Sequence, residues 1–174
     1  MFYTGIGSRS APESVLHTMR LCARKLAWLG YTLRSGGADG ADTAFEIGCD
    51  DVGGEKEIYL PWVGFNGRKD GVLVDNGKAS PITAKHHPAW GSLKQSVRNL
   101  HTRNVGQVLG QMCNTPSSFV LCWTPDGCEL KTTSKTGGTG QAIRIAVAYA
   151  IPIINMANDG WQERVRELVA QKAQ

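Results

Sequence analysis

Three short stretches combine a nearly bare backbone with groups that bind anions: Gly5-Ile6-Gly7-Ser8-Arg9, Ser35-Gly36-Gly37-Ala38-Asp39-Gly40 and Thr136-Gly137-Gly138-Thr139-Gly140. Each stands where an extended run or a linker gives way to a helical pattern. Free N–H groups at such a turn, with the positive end of the helix dipole, make an anion site. Glycine lets the main chain approach a phosphate with no Cβ in the way. One such turn is a weak signal, because a tight strand-to-helix connection favours glycine anyway. Three of them in 174 residues point to phosphate or nucleotide chemistry. The second stretch runs on into Ala41-Asp42-Thr43-Ala44-Phe45-Glu46, which places three carboxylates within eight residues. Asp39 or Asp42 could accept from a ribose hydroxyl, with a helix N-cap as the alternative for Asp42. Glu46 could be a pocket acid or a helix-surface glutamate.

Other residues point to less. His86-His87 and His101 have no carboxylate or cysteine at ligand spacing, so no metal is expected. Neither G-x-G-x-x-G nor G-K-[ST] occurs, which removes most support for dinucleotide-dependent dehydrogenases and P-loop NTPases, and no cofactor is expected. Cys128 lies near a glycine turn with no neighbouring histidine or helix N-terminus to activate it. Trp62, Phe65 and Trp90, with Arg68, Lys69, Lys78 and Lys85, could stack on bases and meet phosphates, or simply pin a loop.

The elements that must carry these residues follow from periodicity. Residues 2–6 read as a strand, and a helix follows with Ser10 as N-cap, Pro12 in its first turn and Gly30 at its end. Residues 31–34 form a second strand, 42–49 a helix, and 56–60 a strand stopped by Pro61. From 62 to about 90 periodicity fails, and an excursion with little regular structure is expected within a single domain spanning 1–174. A long helix over 92–112 follows, with Val97, Leu100 and Val108 as core or as an interface between copies. A strand over 118–123, a helix over 141–150, a strand over 151–156 and a helix over 161–169 complete the chain. The runs Phe119-Val120-Leu121 and Ile151-Pro152-Ile153-Ile154 are apolar on nearly every position, as strands covered on both faces are. The fold expected is α/β, Rossmann-like and doubly wound, with a mainly parallel sheet and helices on both faces.

Bulk composition sets the outer limits. A hydrophobic share of 41% and a charged share of 20% are ordinary for a globular protein. The net charge of +4 suits an anionic ligand but is far from a strongly basic nucleic-acid arm. Five cysteines form no C-x-x-C pair and read as reduced thiols in a cytoplasmic protein. No apolar run approaches the roughly 20 residues of a membrane span, and no membrane partner is expected.

The motifs GSRSAP, SGGADGAD, HTRN and TGGTGQAIRIA, in this order and spacing, are similar to the Rossmann-like domain of the DNA-processing protein A family. The set also looks like the wider superfamily of the Lonely-guy phosphoribohydrolases, which includes nucleotide-sensing domains of bacterial and phage defence systems. The likeness covers most of the chain outside residues 62–90. It implies a pocket built from Gly7, Ser8, Arg9, Ser35, Gly36, Gly37, Asp39, Asp42, Arg103, Asn104, Gly137, Gly138 and Thr139. In that pocket Arg9 and Arg103 would pair with phosphate, and Ser8 and Thr139 would add hydroxyls. The Lonely-guy pattern P-G-G-x-G-T-x-x-E, set on Gly137, places Gln141 at its threonine and Arg144 at its catalytic glutamate. The function expected is a nucleotide-binding protein for a nucleotide, nucleotide sugar or ADP-ribose-type ligand. One alternative is a nucleoside-monophosphate N-glycosidase acting through Glu46 or Asp42. The other is a single-stranded DNA mediator, and the superfamily implies a homo-oligomer.

Overall fold

A computed structural model describes residues 1–171. Five strands and six α-helices follow in the order β1 (Phe2–Gly7), α1 (Glu13–Trp28), β2 (Thr32–Ser35), α2 (Ala41–Asp50), β3 (Lys56–Ile58), α3 (Asn76–His86), α4 (Gln95–Leu109), β4 (Val120–Trp123), α5 (Thr139–Ala148), β5 (Ile153–Asn155) and α6 (Trp161–Gln171). The strands form one parallel sheet in the order β3-β2-β1-β4-β5. The chain winds outward from β1 to β3, then returns to lay β4 on the other side of β1. This is the doubly wound arrangement expected from the sequence, and its switch point lies between β1 and β4.

Both faces of the sheet are apolar. Tyr3, Leu33, Phe119, Leu121 and Ile154 pack under α1, α2 and α6, whereas Ile6, Val120, Cys122 and Ile153 pack under α3, α4 and α5. Consecutive strand residues alternate between the two cores, which is why the strands read as unbroken apolar runs. Gly5 falls where α2 comes closest: a Cβ there would meet the Phe45 ring at 2.7 Å. Arg34 is the charged residue in this setting, at 2% exposure in β2. Its Nε donates to Glu57 at 2.8 Å and its guanidinium lies 3.7 Å over the Phe2 ring. A buried charge is tolerated only when paired in this way.

Several local expectations are corrected. Ser10 does not cap α1: Pro12 occupies that position, and the Ser10 hydroxyl meets Ser8 Oγ at 2.9 Å. Gly30 does end α1, at φ +79°, with Tyr31 N–H bonding to the Leu26 carbonyl and Gly30 N–H to the Ala27 carbonyl. Asp42 is not an N-cap either; Gly40 precedes α2, and Asp42 sits in its first turn. The segment 62–90 contains an α-helix, α3, capped by Asp75, whose side chain accepts from Lys78 N–H at 3.1 Å. Asn76-Gly77 at its start and Pro81 inside it are poor helix formers, so tertiary packing of Ala79 and Thr83 holds it. The observed α4 is shorter than the expected 92–112, and Val108 on it is fully buried.

Candidate functional site

Beyond the carboxyl ends of β1 and β4 lies a cavity of about 550 Å³. Three parts of the chain supply its polar wall. The β1–α1 turn brings Gly7, Ser8, Arg9 and Ser10; α4 brings His101, Arg103, Asn104 and Gln107; and the approach to α5 brings Lys135, Thr136, Gly137, Gly138 and Thr139. Ile6, Ala38, Leu100, Pro125 and Ala142 add apolar wall, and Asp42 from α2 faces in as well. The volume and the mix of apolar wall with a few convergent polar groups are those of a small-molecule site.

Each part is held by identifiable contacts. Ser8 N–H bonds to the Trp123 carbonyl at 3.1 Å, which anchors the first turn to β4. The α5 approach is pinned by Asp126, whose carboxylate accepts from the Thr136 hydroxyl at 2.6 Å and the Thr133 hydroxyl at 2.8 Å. Burial alone would raise the Asp126 pKa, but hydrogen bonds from Thr136, Thr133 and Thr124 hold it down at about 2. A short 3₁₀ turn, Ser134–Thr136, thereby presents Lys135 to the cavity. Asn104 Nδ2 donates to the Gly138 carbonyl at 3.3 Å, fixing the loop just before α5. At the start of α5 the Gly140 and Gln141 amides already bond to the Gly137 and Gly138 carbonyls at 3.1 and 3.4 Å, so the amides that remain for an anion are those just before them, at Gly138 and Thr139.

Arg103 forms the floor. It is 7% exposed, donates through Nη1 to the Gly36 carbonyl, and stands 3.5 Å from Asp42 Oδ2. Its Nε is buried and has no hydrogen-bond partner among the described residues. A buried guanidinium N–H without an acceptor costs free energy, and the charge of Arg103 acts on any anion placed in the cavity it lines. Burial lowers the Arg103 pKa, and Asp42 opposes that shift. Asp42 itself is raised to about 6 by burial, against the pull of Arg103, the Ala38 amide and Arg9. His101 is pushed down to about 4 by burial and by the neighbouring charges of His87, Arg144 and Arg103. It is therefore a neutral wall at physiological pH.

The site residues expected from the sequence fall into two groups. Gly7, Ser8, Arg9, Asp42, Arg103, Asn104, Gly137, Gly138 and Thr139 line the cavity; Ser35, Gly36, Gly37, Asp39 and Glu46 do not. Ser35 Oγ donates to the Gly5 carbonyl at 2.7 Å, and the Gly37 carbonyl accepts from Asn66 Nδ2 at 3.1 Å. Asp39 is exposed on the outer side of the loop. Glu46 is buried in an ion cluster, accepting from Lys56 at 2.9 Å and from both terminal nitrogens of Arg68 at 2.6 and 2.8 Å. Arg144, at the position of the Lonely-guy glutamate, binds the His86 carbonyl, Thr132 and Gln141, bracing α3 against α5 away from the cavity. Lys135, Gln107 and Pro125 are cavity residues that the sequence pattern does not single out. A lysine two residues before a Gly-Gly pair is the only available signal for the first.

Two aromatic spurs leave the cavity wall. Leu100 packs with Phe65, against which Trp62 stands edge-on at 5.3 Å, and His101 lies 4.4 Å from the His87 ring, beyond which Trp90 carries Arg98 at 5.2 Å. Among the described residues no group of three or more His, Cys, Asp or Glu is placed to hold a metal ion. None of their helices is long and apolar enough to cross a membrane.

Comparison with known proteins adds little to this geometry. No protein-family model and no curated protein matches the chain in sequence. Among solved structures, DNA processing protein A from Helicobacter pylori, described for its single-stranded DNA binding mode, is similar at a TM-score of 0.49 and 15% identity, over 96% of this chain and 72% of that one. At that level no residue role is carried across.

Proposed function

We propose that the chain binds a nucleotide-type ligand and holds its phosphate in the switch-point cavity. The ligand class is a nucleotide, nucleotide sugar or ADP-ribose-type molecule, and Gly137–Thr139 amides, Arg9, Lys135 and Arg103 meet its phosphate. The observation that carries this reading is the buried guanidinium of Arg103, set in the wall of the same cavity as the glycine loop that opens α5. Two independent anion-seeking features facing one space are harder to explain by packing than either alone. Hydrolysis of an N-glycosidic bond has weaker support, because Glu46 is held by Arg68 and Lys56 and does not line the cavity.

A single-stranded nucleic acid is the second reading, favoured by the spurs at Trp62 and at Trp90 with Arg98, which extend stacking surface past the cavity rim. Mass spectrometry after incubation with nucleoside monophosphates, ADP-ribose and a short single-stranded oligonucleotide separates the readings. A small nucleotide retained unaltered, and lost in Arg9→Ala, supports the first; oligonucleotide retention alone supports the second. Release of free base moves the assignment to the glycosidase. Binding of nothing in the panel rejects the phosphate site.

A further inference from the structure

A deeper inference rests on the phosphate reading above and concerns Asp42. It supplies the one carboxylate among the described residues that line the cavity, and it is 5% exposed. An ionised carboxylate facing an anion site repels the ligand that the rest of the site attracts. Its compensation inside the protein is loose. The ion pair with Arg103 spans 3.5 Å while Arg103 Nη1 also serves the Gly36 carbonyl, and the Ala38 amide reaches Oδ2 only at 3.4 Å. Arg9 is the other charge that acts on it, from the β1–α1 turn.

We propose that the cavity takes up its phosphate together with one proton, which lodges on Asp42. A proton there removes the like-charge repulsion and turns the carboxyl into a donor toward a phosphate oxygen. The protein's own groups already prepare this step, since burial holds the Asp42 carboxyl at about 6. A phosphate within about 4–6 Å raises it further, by one unit or more. The complex therefore holds more protons than the free protein. Affinity is highest below about pH 6 and falls as pH rises through the higher pKa of the complex. His101, the histidine of the wall, is held near 4 and stays silent over this window.

Inorganic sulfate is the probe, because it stays doubly charged where phosphate itself titrates. Wild-type affinity for sulfate is expected to fall about tenfold between about pH 5.5 and about pH 8, one pKa unit being one decade. Asp42→Asn is expected to bind with the low-pH affinity throughout. Calorimetry of the wild-type protein in buffers of differing ionisation enthalpy is expected to read net proton uptake near pH 6.5, whether or not the variant folds. A flat pH profile, or zero uptake, overturns the role of Asp42 and leaves the phosphate site standing. No sulfate binding at any pH overturns both.

Discussion

The two glycine-rich loops that open α2 and α5 look alike in sequence and do opposite things. In Ser35–Gly40 the polar groups are consumed by the protein: Ser35 by Gly5, the Gly36 carbonyl by Arg103, and the Gly37 carbonyl by Asn66. A Cβ at Gly36 would strike the Arg103 guanidinium, and one at Gly40 would lie 2.6 Å from the Arg9 carbonyl oxygen in a backbone at φ +79°. At Gly137 and Gly138 a Cβ would meet nothing within 4 Å. The first loop uses glycine to let the chain pack around Arg103, which then forms the cavity floor. The second uses it to leave backbone bare toward the cavity. Glycine content alone does not separate a packing loop from a binding loop; the occupancy of the space beside it does.

The sharpest way to break this contrast is to add one methyl group to each loop. Gly36→Ala is expected to lower stability by about 2–4 kcal/mol in chemical denaturation, since Arg103 cannot withdraw without losing the Gly36 carbonyl and Asp42. Gly138→Ala, at an ordinary helical φ of −62°, is expected to leave stability within about 0.5 kcal/mol and to weaken nucleotide affinity about tenfold. Equal stability losses for the two would erase the distinction. A smaller effect sharpens it from the other side. Arg68 closes over Gly37 and pairs with Glu46, so Arg68→Ala is expected to cost about 1–2 kcal/mol near neutral pH while ligand affinity is unchanged. Burial would raise the Glu46 pKa, but Arg68 and Lys56 hold it below the usual glutamate value. Its stabilising contribution is therefore present above about pH 4.5 and lost as pH falls through the lower folded-state value. Denaturation at a series of acid pH values should show this loss in the wild type and a reduced loss in Arg68→Ala.

Much of the scaffold is legible in the sequence. The apolar runs at β4 and β5 and the Gly30 stop of α1 follow from local chemistry, and β1, α2 and α5 sit within a few residues of where periodicity puts them. The helix α3 is not legible, because Gly77 and Pro81 argue against it locally and the Asp75 cap is outweighed until contacts with α4 and α5 are made. The site is legible where a motif carries its own backbone, as at Gly137–Thr139 and Gly7–Arg9. Legibility ends where the role depends on which way a side chain turns. Glu46 lies four residues after Asp42, yet Asp42 meets the cavity and Glu46 meets Arg68, a residue whose position depends on the return of the 62–90 excursion. Lys135 enters the cavity only because Asp126, nine residues earlier, ties down the turn before it.

The most direct test of the contrast is a titration with a nucleoside monophosphate followed by amide resonances of the backbone. The account predicts that Gly137, Gly138 and Thr139 shift progressively, with Ser8 and Arg9, while Gly36 and Gly37 stay in place. Shifts concentrated in Ser35–Gly40, with Gly137–Thr139 unmoved, would contradict it.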